Sequence, residues 1–271
     1  MIAAIDHVLS LVANLEVAAA AALNLGFTLT PVGVHPQFET ANRLIMFPGC
    51  YWELLSVARP VPQNQWLSQQ LGVVAGAGGV AIATCDIAES RRRARAAGIR
   101  SPEPIVLTRP VRIGEAQLEA RFRICDLEAP VGFDARFFLC EHLTPELVWR
   151  SEWTVHSNES VALCGLIAVA EDPRRLELDL AALFSTAVAH EAADRALAGH
   201  WVEIDCMTPE EFTARYPGRS CAGGSGFPVI IMRLANAAPL RMRLADSAWA
   251  VEKTAHAIWR SEERRVGKEC R

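Results

Sequence analysis

The chain has 271 residues, of which 51 % are hydrophobic and 21 % charged, and a formal net charge of −4. That balance leaves no basic footprint for nucleic acid, no apolar run approaches the roughly 20 residues needed to span a bilayer, and the length suits one large domain or two smaller ones. The N-terminus, MIAAIDHVLSLVANLE, meets acidic Asp6 and Glu16 and lacks the basic segment of a secretory leader, so a cytoplasmic location is expected.

Read in chain order, IDHVLSLV is a strand, NLEVAAAAALNLG an alanine-rich helix, and FTLTPV, ANRLIMF and CYWELLSV are strands, which gives a βαβββ unit over residues 1–57. Asn14 is placed as N-cap and Gly26 as the residue just past the helix end. A linker rich in Pro, Gln and Gly follows, and then the order returns over residues 78–143. GGVAIATC is a strand, DIAESRRRARAAGI a helix capped by Asp86 and ended by Gly98, and PIVLTRPV, EARFRICDL and ARFFLCEHL are strands. A less regular third return occupies residues 159–260, with SVALCGLIAVA, the helix DPRRLELDLAALFST, and HWVEIDCM, PVIIMRLAN and PLRMRLADS as strands. From SEERRVGKECR onward the composition turns to dense mixed charge. Residues 261–271 look like a translated adapter-like tail and are set apart from fold reasoning. The eight cysteines are scattered without a CxxC pair, which argues against both a structural zinc site and a disulfide framework.

The oddest residue is Glu53. In CYWELLSV it shares a face with Tyr51 and Leu55, and in IDHVLSLV His7 shares a face with Ile5, Leu9 and Leu11. A carboxylate on an apolar face either stays neutral or finds a cation, because an unpaired buried charge costs several kcal/mol or more. A divalent ion shared with a neutral imidazole satisfies both groups, and mixed His/Glu ligation suits Zn, Mn, Fe or Ni. A protein cation such as Arg43 is the other way to balance Glu53. No GxSxG, P-loop or GxGxxG competes for a site.

The βαβββ order, the opening IDHV with a helix ending LGF, and HPQFETANRLI followed by YWELL together resemble the vicinal oxygen chelate superfamily, in particular its glyoxalase-like domain proteins. The resemblance implies an α+β fold in which two βαβββ modules pair into a cupped, incomplete barrel, here within residues 1–158, with a third, more divergent module serving packing or dimerisation. It implies a divalent metal held from the first and last strands of each module: His7 and Glu53 from the first, and Glu141 from the second, with His142 as the fallback if the register slips by one. Gly79 stands where the second histidine belongs. His35, Thr40, Asn42 and Arg43 match a signature near the pocket mouth, although Glu39 replaces a glycine common there, and Arg43 is the residue to meet an anionic substrate. The linker TPELVWRSEWTVHSN offers Trp149, Trp153 and His156 either as a lid or as pins to the body. The function implied is that of a metal-dependent lyase, isomerase or dioxygenase acting on a small oxygenated substrate. The alternative is a metal-free small-molecule binding or sequestration protein on the same scaffold. An unpaired third module would present an apolar sheet face needing a second subunit or an internal cover, and a homodimer is expected.

Overall fold

A computed structural model describes residues 1–70, 76–188, 200–219, 221 and 224–245. The first module comprises β1 (Ile2–Leu11), α1 (Leu15–Asn24), β2 (Gly33–His35), β3 (Thr40–Phe47) and β4 (Cys50–Val57). A short helix α2 (Gln65–Gln70) lies in the linker. The second module comprises β5 (Gly79–Ala83), α3 (Ile87–Ala96), β6 (Ile105–Ile113), β7 (Ala116–Leu127) and β8 (Arg136–His142). The remainder forms β9 (Ser160–Val169), α4 (Pro173–Ser185), β10 (His200–Met207), α5 (Pro209–Arg215), β11 (Gly226–Leu234) and α6 (Ala238–Ala245).

The helix ends follow the sequence signals. Asn14 Oδ1 accepts from the Val17 amide and Asp86 Oδ1 from the Glu89 amide, while Gly26 and Gly98 take positive φ of 85° and 80° just beyond α1 and α3. Asp172 caps α4 in the same way. Two strand expectations are corrected. FTLTPV forms no strand of its own, because Pro31 brings no amide hydrogen to a ladder, and pairing with β3 begins only at Gly33. PLRMRLADS is helix α6 as far as Ala245 and not a strand, and its last two residues lie outside the described residues, as does the charged C-terminal tail.

Modules one and two pair through β1 and β5, which run antiparallel with Leu9 opposite Gly79. The path β2-β3-β4-β1-β5-β8-β7-β6 then curls into a cup, and its ends come together: Gln37 beside β2 donates to the Thr108 hydroxyl of β6 at 3.3 Å. This is the cupped, incomplete barrel expected of two paired modules. The largest buried cluster lies on the convex side, where Ile5, Val8, Leu54, Ile82 and Phe137 meet α1, α3 and α4. A second cluster, built on Leu44, Tyr51, Phe122, Ile124 and Phe138, lines the concave side.

The third unit continues the same sheet. β10 pairs antiparallel with the N-terminal half of β1, Ile2 opposite Glu203 and Ile5 opposite His200, leaving the C-terminal half of β1 to β4. Its apolar faces are covered from within: Leu176, Leu180 and Leu183 of α4 join the convex core on one side, and Phe212 of α5 packs on Ile167, Val169 and Met207 on the other. Among the described residues, this unit's own helices thus cover much of the apolar sheet face for which a dimer is one cover and an internal element the other.

Candidate functional site

The concave side encloses a cavity of about 70 Å³, room for several waters or a small organic molecule. Each strand presents alternate residues to it: His7 and Leu9 from β1, Tyr51, Glu53 and Leu55 from β4, and Thr40, Asn42 and Leu44 from β3. Module two supplies Leu107 and Arg109 from β6, Phe122 and Ile124 from β7, and Arg136, Phe138 and Cys140 from β8.

His7 is the centre of a buried polar chain. Its Nε2 lies 3.6 Å from Glu53 Oε2, its Nδ1 donates to Asp6 Oδ1 at 2.6 Å, and the other Asp6 oxygen accepts from His142 Nε2 at 2.9 Å. The ring stacks on Tyr51 at 4.4 Å between centroids. In a regular strand Asp6 and His7 would point to opposite faces. The register of β1 against β5 shifts between Ile5 and His7, and this irregularity lets the two consecutive side chains share one buried cluster. Burial works against ionisation of Asp6, but the two histidines outweigh it and hold the carboxyl well below the usual carboxylate range. An ionised Asp6 accepts from both rings, which fixes the hydrogen on His7 Nδ1 and turns Nε2 toward Glu53.

The other oxygen of Glu53 accepts from Asn42 Nδ2, and Asn42 Oδ1 accepts from Arg109 Nη1 at 3.2 Å. His35 Nδ1 meets the Thr40 hydroxyl at 3.0 Å. Burial brings the His35 pKa down from 6.5 to about 4; Glu53 opposes this, and Arg109 and His7 add to it. Because the folded value lies below the unfolded one, the stabilisation is complete above pH 6.5 and fades as the pH falls toward 4, by something on the order of 3 kcal/mol. Urea unfolding of the wild type and of His35→Gln at pH 7.5 and pH 4.5 should show a much smaller loss in the variant. Equal losses in the two proteins would remove His35 as the cause.

The residues singled out in the sequence divide into two groups. His7, His35, Thr40, Asn42 and Glu53 come together around the cavity. Glu141 does not: it stands on the opposite face of β8, where Arg123 Nη2 donates to its Oε1 at 2.8 Å and the two groups form an ion pair. His142 has the inward parity of Phe138 and Cys140, but it spends Nε2 on Asp6 and packs beside Phe122 and Trp149 instead of lining the cavity. Arg43 also points away, donating to the Thr30 carbonyl at 3.0 Å, since Asn42 and Leu44 occupy the inward positions of β3. Trp149 tilts against Tyr51 and His142 from behind the cavity wall, and Trp153 joins the same cluster. His156 is a pin. Its Nδ1 accepts from the Thr28 amide at 3.0 Å and its Nε2 donates to the Met46 carbonyl at 2.9 Å, with Phe27 and Phe47 around the ring. Glu39 adopts the left-handed backbone that a glycine would take without strain, φ 48° and ψ 44°, and its carboxylate is held by Arg59 at 2.9 Å. Asp6, Gly33 and Arg109 were not singled out in the sequence. Asp6 is hidden by the irregular register, and Arg109 is the single buried residue of a strand otherwise exposed or half-exposed.

A model of the glyoxalase-like domain matches residues 5–184. The chain belongs to this family, within the vicinal oxygen chelate superfamily. The match runs beyond the second module and through β9 to α4. Among curated proteins none matches this glyoxalase-like chain. Its fold is similar to that of a hypothetical protein from Staphylococcus aureus, at 13 % identity and a TM-score of 0.59 over 88 % of this chain and 93 % of that one. It is also similar to a variant of 4-hydroxymandelate synthase from Streptomyces coelicolor, at 14 % identity and 0.53 over 90 % and 74 % of the two chains. Methylmalonyl-CoA epimerase from Mycobacterium tuberculosis aligns at 22 % identity and 0.39 over 51 % and 87 %.

The internal repeat shows how far this glyoxalase-like chain fits the metal centre that the family resemblance implies. In module one His7 pairs with Tyr51 and Leu9 with Glu53; in module two Gly79 pairs with Arg136 and Ala81 with Phe138. With the capped helices aligned, Gly79 takes the place of His7 and Phe138 that of Glu53, so module two supplies no ligand at either position. His7 Nε2 and Glu53 Oε2, at 3.6 Å, are close enough for one ion to touch both at the usual 2.0–2.2 Å. Among the described residues, however, no third His, Cys, Asp or Glu joins that pair. The one three-donor group is Asp6, His7 and Cys140, whose carboxylate is already taken by two imidazoles and whose thiol is pushed well up, chiefly by burial. The residues present do not fit the family-type centre.

Proposed function

We propose that the cup of modules one and two is a metal-independent binding site for a small molecule, the second of the two functions weighed from the sequence. The carrying observation is that Glu53 already has a protein donor and that module two sets apolar groups where its metal ligands would stand. Glu53 accepts from Asn42, which in turn accepts from Arg109, and module two adds Phe122, Ile124 and Phe138 where a second set of ligands would stand. The metal-dependent lyase, isomerase or dioxygenase needs Glu141 or His142 at the cavity beside His7 and Glu53, and neither reaches it. A second reading, proton transfer on the bound molecule by His7, is favoured by the 2.6 Å bond from its Nδ1 to Asp6, which orients Nε2 as a base.

The test is metal analysis of purified wild type and Glu53→Gln beside thermal unfolding with and without a chelator. The expected results are substoichiometric metal, unfolding unmoved by chelator, and a loss of about 1.5–3 kcal/mol in the variant, the usual worth of hydrogen bonds to a charged group. One Zn, Mn, Fe or Ni per chain, lost on Glu53→Gln with stability retained, would return the metal-dependent reading. This reading also takes the protein to be cytoplasmic; the seven cysteines among the described residues are free thiols, and no helix there is long and apolar enough to cross a membrane. A homodimer is the proposed assembly, and β11, which ends the sheet and pairs with β9 on one side, is an edge on which a second copy would fit. Sedimentation at micromolar concentration decides between dimer and monomer.

A further inference from the structure

Arg109 is a charged side chain in the wrong place for a structural one. It is only 5 % exposed, its guanidinium is turned into the cavity, and its burial lowers its pKa against the pull of Tyr51 and Glu53. Buried arginines normally sit on a carboxylate. Among the described residues no Asp or Glu oxygen lies within salt-bridge reach of this one; its hydrogen bond is the 3.2 Å donation to the Asn42 side-chain carbonyl, and its buried Nε has no partner. The second cavity arginine differs. Arg136 is neutralised by Asp126 at 2.6 Å and lies over the Phe138 ring.

The backbone is cut away to admit Arg109. A methyl group on Gly33 would fall 2.4 Å from Asn42 Oδ1, 2.6 Å from Arg109 Cδ and 2.7 Å from Arg109 Nη1, so only glycine at this point of β2 lets the guanidinium and the amide lie as they do. Gly33 has no positive φ, so close approach is what requires glycine here, not backbone conformation. A planar fork with free donors, one positive charge that no carboxylate among the described residues touches, and apolar walls from Leu44, Leu107 and Phe122 match a small organic monoanion better than a phosphate, which brings more charge than one guanidinium neutralises.

We infer that Arg109 is the anchor for the carboxylate of a small, largely apolar organic acid bound in the cup, with Asn42 and Gly33 positioning it. This inference rests on the small-molecule reading of the same site. The anion completes the ion pair that Arg109 lacks, and the rest of the molecule lies against Leu44, Phe122 and Phe138 below His7 and Glu53.

Propionate, pyruvate and lactate, each beside its own primary amide, are suitable probes, titrated against the full chain by ligand-detected saturation-transfer NMR. For at least one pair the acid should bind the wild type about tenfold or more tightly than the amide. Arg109→Met should reduce that preference to within about twofold while keeping amide binding, and Arg109→Lys should keep part of it. Gly33→Ala retains the charge but displaces it, and should lose the preference as Arg109→Met does, which covers the case in which the methionine variant folds poorly. Acids and amides that bind wild type equally, or an acid preference that survives Arg109→Met, would overturn the inference and leave the small-molecule reading intact. No binding by any acid or any amide would overturn that reading and the inference together.

Discussion

Asp6→Ala is expected to destabilise the protein by about 3–5 kcal/mol, the range measured when one partner is removed from a buried charged pair. The effect should be large because one carboxylate serves two rings. Asp6 is 3 % exposed and accepts from His7 Nδ1 at 2.6 Å and from His142 Nε2 at 2.9 Å, so its loss leaves two buried imidazole N–H groups without acceptors. Asp6→Asn is nearly isosteric but has one acceptor oxygen, and its amide hydrogens would face one of the two rings, so it should fall between alanine and wild type. The pH dependence carries a sign that identifies the cause. With the folded pKa of Asp6 held below its ordinary 3.8, the stabilisation is present above that value and is lost as the pH falls through the folded pKa. Denaturant unfolding should therefore show wild type and variants far apart at pH 7 and converging below pH 4. An Asp6→Ala protein within 1 kcal/mol of wild type at pH 7 would show that the two rings find other acceptors.

A fragment ending at residue 158 is expected to fail to fold as a stable monomer, although it contains both modules of the cup. The N-terminal half of β1 pairs with β10, and without it the ladder from Ile2 to Ile5 becomes an open edge beside the centre of the barrel. The convex core is continuous across that boundary: Leu163, Leu166, Leu180, Val202, Ile204 and Phe227 belong to the same buried cluster as Ile5, Val8 and Phe137. Each such side chain stabilises by roughly 1.5–3 kcal/mol when buried, against a total of 5–15 kcal/mol for a typical protein. Dispersion of amide NMR signals and cooperative unfolding of the fragment provide the measurement. A well-dispersed, cooperatively unfolding monomer would establish residues 1–158 as an autonomous domain and the third unit as an appendage.

The local structure was legible because it depends on near neighbours along the chain. Asn14, Asp86 and Asp172 announce their helices through hydrogen bonds that span three residues, and the return of the same order of elements exposes the paired modules. His7 and Glu53 were legible for a different local reason: each interrupts an apolar face whose alternation the sequence shows. Where pairing partners decide the outcome, periodicity was silent or misleading. PLRMRLADS alternates well enough for a strand yet folds as α6, and Glu141 stands with Phe137 and Leu139 on the face turned from the cavity, where Arg123 takes it.

By themselves, then, the residues determined the α+β class, the twofold βαβββ repeat, the helix limits and the presence of a histidine and a glutamate on inward faces. Tertiary structure alone decided that Glu53 answers to Asn42 and not to Arg43, that Asp6 slips past the alternation of β1 to bind two rings, and that Arg109 reaches across from β6 to the space left by Gly33. The physical reason is common to all three. Each is a contact whose existence depends on which strands lie side by side and in what register, and a shift of one residue in that register would turn every one of these side chains to the other face of the sheet.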